Sequence, residues 1–434
     1  MNKNDTVTLD ITGASSDGSG IARLPDGRVT FVANALPGET VTARLLKVDK
    51  RSVWAKTLTV LSASPERVEP DCPHFPQCGG CSYRHMTYAE ELRQKLQRVN
   101  DAFERIAKSD LRANEILPAQ SRSGYRNKAI YNIAERKVGF YQARSHRLLP
   151  VTDCLLQTEF ANAAAAALQS AIDELGLSTY DEATQKGLLR KLFVRGSQIV
   201  IIAKGKPKLE LAEFLLSKLS VCTSLVWCDN RDSGNTIFGN GTFYTLHGGA
   251  TVPMTLGDMT FDVFPASFFQ VNSKQTEVLY EQAVDFVKSD SSQKLLELYC
   301  GIGTLTAYLA PNCANITGLD IVPAAIDNAV ANHKKLSIEN SNFITGDAAQ
   351  LYALATDNYS AVIVDPPRKG LDDAVTKAVA NLKPNKIIYI SCDPATAARD
   401  TERLAALGYN AVKIIGVDMF PGTAHVEIVI KYVK

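Results

Sequence analysis

The sequence predicts a multidomain chain: an N-terminal OB-like β-barrel over residues 1–64, a central α+β domain over 65–265, and a C-terminal α/β Rossmann-like domain over 266–434. Three observations predict it. The opening residues alternate in short runs (VTLDIT, RVTFVAN, ETVTARLLKV, SVWAKTLTVL) around the turn-rich GASSDGSGIARLPDG, the pattern of a small barrel. A polar linker with two prolines, SASPERVEP, then leads into a cysteine-rich loop. From SQKLLELYCG onward, near-continuous apolar strands alternate with helical stretches, as in an open, mostly parallel sheet with an antiparallel strand at its end.

A chain of 434 residues with 45% hydrophobic and 21% charged residues is globular in composition. That excludes a disordered chain, a collagen-like fibre and a small disulfide scaffold. No apolar run approaches the ~20 residues of a membrane span. MNKNDTVTLD lacks the apolar core of a signal peptide, so a cytoplasmic protein is expected, monomeric by default. With 47 Lys and Arg against 46 Asp and Glu, only a local basic patch can support nucleic-acid binding. Nine cysteines in a reducing compartment point to metal binding or catalysis rather than to disulfides.

In chain order, the loop DCPHFPQCGGC carries Cys72, Cys78 and Cys81, and Cys154 follows 73 residues later. Three thiolates on a tight loop plus a distant fourth satisfy tetrahedral sulfur ligation, by zinc or by an iron–sulfur cluster. The spacing departs from paired C-x2-C zinc motifs and from the C-x3-C-x2-C of radical enzymes; a redox dithiol at Cys78 and Cys81 is a weaker alternative. TYAEELRQKLQRVNDAFERIAK reads as a long amphipathic helix, with Thr87 as cap and Glu90 three residues on. From Gln120 to Arg147, seven Lys or Arg face one acid, Glu135, with Tyr125, Tyr131, Phe140 and Tyr141 interleaved. Such charge tracks phosphates and such rings stack on bases, although a solvated basic hairpin explains the charge equally well.

LLELYCGIGTLT is a strand, a glycine turn and a helix start, in which Gly301 and Gly303 let the backbone approach a ligand. Asp320 ends the next strand 19 residues past Gly301, where an acid grips ribose hydroxyls in doubly wound folds. Thr306 occupies the third glycine position of the dinucleotide fingerprint, so NAD and S-adenosylmethionine (SAM) both remain open on these residues. Asp347 ends the third strand, and Asp365 in VIVDPPRKG ends the fourth, facing the ligand crevice. Cys392 ends the fifth strand and opens a helix, a place expected to lower a thiol pKa. Glu427 lies in an apolar strand, where burial raises a carboxyl towards a proton-transfer value. Cys222, Cys228, Cys300 and Cys313 read as small buried hydrophobes.

Together these motifs resemble the RNA uracil-5-methyltransferase family, specifically the branch that modifies 23S rRNA and carries an iron–sulfur cluster. The resemblance runs through CPHFPQCGGC, the DC at 153–154, ELYCGIGTLT, DPPRKG, ISCDPAT and HVE, and so covers nearly the whole chain. It implies a TRAM-type RNA-binding barrel, a central iron–sulfur domain and SAM-dependent methylation of uridine C5 in RNA, with 23S rRNA first and tRNA as the alternative. It implies Cys392 as nucleophile and Glu427 as base. Gln270 in SFFQVN, Tyr299, Gly301, Gly303, Thr304, Asp320, Asp347 and Asp365 fall at SAM-contacting positions. Cys72, Cys78, Cys81 and Cys154 match the ligands of a [4Fe–4S] cluster, with zinc as the alternative. Asp320 stands where the family usually has Glu, and Thr304 where it often has Asn. Rival readings are a methyltransferase for exocyclic amines, which needs no thiol, and a cytosine-5 enzyme, which would carry Pro-Cys where this chain has DPPR. A catalytically silent, cluster-stabilised RNA-binding protein is the rival from outside enzymology.

Overall fold

A computed structural model describes residues 1–288, 292–351 and 358–434. Six strands, β1 (Thr6–Asp10), β2 (Gly13–Ala14), β3 (Gly20–Arg23), β4 (Val29–Ala33), β5 (Thr40–Val48) and β6 (Ser52–Ser62), form one sheet in the order β1-β5-β6-β4-β3-β2. Strand alternation buries Leu9, Val32, Val41, Leu45 and Val53 on its inner face, giving the N-terminal unit its own core.

Helix α1 (Tyr88–Arg105) starts where the capping signal predicts, with Thr87 Oγ1 accepting from the Glu90 amide at 3.3 Å. The reciprocal half of a capping box does not form. Glu90 instead pairs with Arg93, and the Thr87 amide donates to the Glu66 carbonyl.

The central sheet contains β8 (Lys128–Ala134), β9 (Lys137–Tyr141), β10 (Leu148–Pro150), β11 (Leu189–Arg195), β12 (Gln198–Ala203), β13 (Ser224–Asp229) and β14 (Thr242–Gly248). Its order is β10-β9-β8-β11-β12-β13-β14, and α2 (Glu159–Glu174) and α3 (Leu209–Lys218) pack their apolar faces on it. The span 65–265 does not pack as one body. Val99, Ala102 and Phe103 of α1 and Ile116 of β7 (Ile116–Leu117) join the C-terminal core. The hairpin β15 (Val252–Leu256) and β16 (Met259–Val263) joins the other face of the same sheet. The basic stretch also differs from a free stacking platform. Tyr131 is fully buried against Phe140, with ring centroids 4.7 Å apart, and Tyr125 donates its hydroxyl hydrogen to the Pro421 carbonyl.

The C-terminal sheet holds β17 (Lys294–Leu298), β18 (Asn315–Asp320), β19 (Ser341–Thr345), β20 (Ala361–Val364), β21 (Lys386–Ser391), β22 (Asn410–Val417) and β23 (Glu427–Val433). Its order is β19-β18-β17-β20-β21-β23-β22-β7, and only β23 runs antiparallel to its neighbours. The apolar strands are apolar because α4 (Ser273–Val287), α5 (Thr304–Leu309), α6 (Pro323–Lys335), α7 (Asp373–Asn381) and α8 (Pro394–Ala406) cover them. Among the described residues, no helix is long and apolar enough to cross a membrane.

Candidate active site

Strand register gathers the predicted residues at one edge. Leu298 pairs with Leu319 and with Val364, Val364 pairs with Tyr389, and Ser391 pairs with Ile428. Tyr299, Asp320, Asp365 and Cys392 therefore leave four parallel strands at their carboxyl ends. Glu427 opens the antiparallel β23 at the same end, beside Cys392. This is the crevice in which open α/β sheets bind ligands.

The glycine turn has the conformation its composition suggests. Gly301 has φ 54° and Gly303 φ 78°, and a Cβ on Gly303 would meet His333 Nε2 at 2.8 Å. The Gly301 amide donates to Asp320 Oδ2 at 3.0 Å and the Val322 amide to Oδ1 at 2.9 Å, so Asp320 fixes the turn as well as lining it. The Thr304 hydroxyl meets that of Tyr280 at 2.9 Å. Gln270 is buried, and its carbonyl accepts from Asn127 Nδ2 at 2.9 Å, tying the start of β8 to the segment before α4. Asp347 is exposed and caps a single turn through the Ala349 amide at 2.9 Å.

Cys392 corrects the sequence expectation. Its thiol is not lowered. Burial pushes it up to about 11, the Glu427 carboxyl adds to that, and the Arg368 guanidinium opposes it. The dipole argument fails because Asp393 caps α8, accepting from the amides of Ala395 at 2.9 Å and Thr396 at 3.2 Å. The N–H groups that would have stabilised a thiolate are already paired. Glu427 does follow expectation: burial, then the Asp365 charge, lift it to about 8 against Arg368. Burial lifts Asp365 to about 7.

Three residues escaped the sequence reading. Glu297 is buried beneath the turn and raised to about 8 by burial, and the Thr306 hydroxyl donates to it. That bond accounts for Thr at the third fingerprint position. The signal was the one used for Glu427, an acid inside an apolar strand. Arg368, exposed in DPPRKG, bears on both Cys392 and Glu427. His425, two residues before Glu427, is held neutral, near 4, by burial and then by the positive charge of Arg368, Arg98 and Arg126.

The cysteine loop forms a separate site. Cys72, Cys78, Cys81 and Cys154 are free thiols and line one cavity of about 100 Å³ with Phe75, Phe140 and Arg126. Burial pushes Cys81 up to about 11 and raises Cys78 and Cys154. Among the described residues, no group of three or more His, Cys, Asp or Glu side chains could hold a metal ion. Cys222, Cys228 and Cys313 are buried among apolar side chains, as read from the sequence, whereas Cys300 is buried in the glycine turn near the carboxyls of Glu297 and Asp320.

The barrel, the parallel sheet and its loaded carboxyl edge, together with the following similarities, place the chain in the class of RNA methyltransferases. A family profile described as tRNA (Uracil-5-)-methyltransferase matches residues 250–434, and a TRAM domain profile matches 2–58. An RNA methyltransferase of Halalkalibacterium halodurans is 38% identical over 98% of this chain and 96% of its own length. One from Listeria monocytogenes is 35% identical over 99% of this chain and 98% of its own. The crystal structure of Pyrococcus abyssi tRNA (uracil-54, C5)-methyltransferase in complex with S-adenosyl-L-homocysteine superposes with a TM-score of 0.81 at 26% identity, over 98% of this chain and 99% of that one. The chain belongs to the RNA uracil-5-methyltransferase family.

Proposed function

We propose that this enzyme methylates C5 of a uridine in 23S rRNA, taking the methyl group from SAM and passing through a covalent adduct between Cys392 and uracil C6. The observation that carries the reading is the register that sets a thiol and a buried carboxyl side by side at the edge holding the glycine turn. Bound SAM would supply an electrophilic methyl on a sulfonium centre; Tyr299, Gly301, Gly303, Thr304, Asp320, Asp347, Asp365 and Gln270 would hold it. The uridine must leave its stack to reach the crevice. Cys392, once ionised with help from Arg368, bonds through Sγ to C6 and pushes an electron pair onto C5 and O4. C5 then takes the methyl group. The Glu427 carboxylate removes the C5 proton, the electron pair re-forms the C5–C6 double bond, and the Sγ–C6 bond breaks.

A tRNA substrate is the second reading, favoured by the full-length similarity to an enzyme named for uracil-54 of tRNA. Methyl transfer from labelled SAM to 23S rRNA and to tRNA from a strain lacking the gene, followed by mapping of 5-methyluridine, separates the two. A 5-fluorouridine transcript of the accepting RNA should trap a covalent complex with wild type and none with Cys392→Ala. Methylation without any trapped complex removes the covalent path.

The cysteine cavity supports a [4Fe–4S] cluster on Cys72, Cys78, Cys81 and Cys154. Four thiols line one mainly apolar cavity that Arg84, Arg126 and His74 also line, and a tetrahedral set of thiolates suits an iron–sulfur cluster, with zinc as the alternative. Deprotonation of buried thiols would accompany binding. Protein purified without oxygen should be brown and absorb at roughly 400 nm, the sulfide-to-iron band of such clusters. A colourless preparation with one zinc per chain overturns this assignment.

A further inference from the structure

Among the described residues, ladder pairing between the strand that leads into Cys392 and the strand that Glu427 opens ends at the Ser391–Ile428 register. Residues 418–426, which lead into Glu427, are nevertheless tied down carbonyl by carbonyl. The Met419 carbonyl accepts from Asn272 Nδ2 at 3.1 Å, the Pro421 carbonyl from the Tyr125 hydroxyl at 3.0 Å, and the Gly422 carbonyl from the amides of Ser82 and Tyr83 at 2.9 and 3.0 Å. The Asp418 amide donates to the Leu117 carbonyl of β7 at 2.9 Å, and further fastenings come from α1, which lies more than 300 residues upstream of the loop.

One face of α1 makes them. Glu91, Lys95 and Arg98 follow the i, i+4, i+7 spacing of a helical stripe. Glu91 Oε1 accepts from the Gly422 amide at 2.7 Å. Lys95 Nζ, fully buried, donates to Asp418 Oδ1 at 2.6 Å, to Glu91 Oε1 at 2.7 Å and to the Phe420 carbonyl at 3.3 Å. Arg98 donates to the Ala424 carbonyl at 2.6 Å, and its other nitrogen lies 3.9 Å from Asp393 Oδ2. Asp393 follows Cys392 directly; Ala424 precedes Glu427 by three residues. Arg98 thus hydrogen-bonds the loop before Glu427 and forms an ion pair with the residue after Cys392.

We propose that α1 is a splint for the reacting pair and that Arg98 is its positioning residue, holding the loop after Cys392 and the loop before Glu427 at a fixed separation. The proposal rests on the covalent reading above. A forked cation suits this role, because one guanidinium can donate to a carbonyl on one segment while its second nitrogen pairs with a carboxylate on another, a geometry an ammonium does not fix. Because attack at C6 and proton removal at C5 occur on adjacent ring atoms, a shift of one loop against the other costs rate without costing affinity.

Arg98 also borders a groove between α1 and the barrel, where Arg93 and Arg105 lie, so a phosphate contact is the rival role. The two roles separate in kinetics. Arg98→Met and Arg98→Lys would be compared with wild type on the RNA that wild type methylates, with rates normalised to sites counted by bound SAM so that unfolded protein does not enter. A pool of 5-fluorouridine-substituted 23S rRNA and tRNA transcripts serves as the trap. In Arg98→Met, kcat and the rate of adduct formation should fall tenfold or more while KM for RNA stays within twofold; Arg98→Lys should recover part of that loss. A raised KM with unchanged kcat, the KM gap to wild type narrowing at higher salt, assigns Arg98 to phosphate binding and overturns the proposal. So does an adduct rate within twofold of wild type. If wild type itself methylates RNA but forms no adduct, the covalent reading fails and the splint proposal falls with it.

Discussion

Burial makes the site's acids weak and its thiol weaker. Glu427 must be ionised to take the C5 proton, so the rate of the proton-removal step, followed by elimination of methylated product from the preformed adduct, should rise with pH with a midpoint near 8, where burial has placed it. A midpoint below 6 would show that another group limits the rate. The same shift has a stability consequence of definite sign. Glu427 is raised above its ordinary 4.5, so the fold favours the protonated form and binds more protons than the unfolded chain between about 4.5 and about 8. Its contribution is complete below the lower value and is lost as pH climbs through the upper one. Glu427→Gln should therefore abolish turnover yet raise the thermal midpoint at pH 9 by at least about 2 °C. At pH 5 it should do neither good nor harm to stability; equal shifts at the two pH values would contradict the burial argument. Arg368 works on the thiol as well as on Glu427. It opposes the raised pKa of Cys392, so Arg368→Met should slow alkylation of Cys392 at pH 8 about tenfold, as followed on the Cys392 peptide by mass spectrometry.

Elements set which residues meet, and here two glycines of one turn differ. Gly303 has a positive φ and no room: its Cβ would press on His333, whose Nε2 holds the Gly303 carbonyl at 2.9 Å, and on Phe343 at 3.0 Å. Gly301 has a positive φ with open space around it. Gly301→Ala should cost only backbone strain of about 1 kcal/mol, whereas Gly303→Ala should also push α6 and β19 from the turn. Titration with SAM should show a several-fold loss of affinity for the first and a far larger one for the second; equal losses would mean that crowding plays no part. The parallel strands were legible because strands covered on both faces are apolar throughout, and their ends placed Asp320, Asp365 and Cys392 at one edge. The α1 boundary was legible from Thr87. Its partner was not: an amphipathic stripe says that a helix packs, but not that Lys95 within it meets Asp418. The thiol was misjudged for a related reason, since a helix start in the sequence does not reveal that Asp393 has already taken its amides.

Across the whole molecule, the barrel is joined to the rest by a small apolar core and by buried charge. Leu36 of the barrel packs with Tyr83 and Met86 of the cysteine loop region and with Ala424 of the Glu427 loop, so three parts of the chain meet in one small core. Beside it, Glu39 is wholly buried, accepting from Arg67 Nη2 at 2.7 Å and from the Leu36 amide at 2.8 Å, while Arg67 also donates to the Asn34 carbonyl at 2.9 Å. The composition could not show this junction, because a linker arginine and a barrel glutamate look like ordinary surface charge. Removing the arginine leaves a carboxylate buried without its partner, a change that costs about 3 kcal/mol or more at neutral pH. The stranded carboxyl can lower that cost by taking a proton, which the unfolded chain does not do above about pH 5. Arg67→Ala should therefore depress the thermal midpoint strongly at pH 8 and less at pH 5. Because the protein has several domains, the readout is the midpoint of the first transition rather than a two-state free energy. A depression of equal size at both pH values, or none at pH 8, would show that Glu39 does not depend on Arg67 and that the barrel is held by its apolar contacts alone.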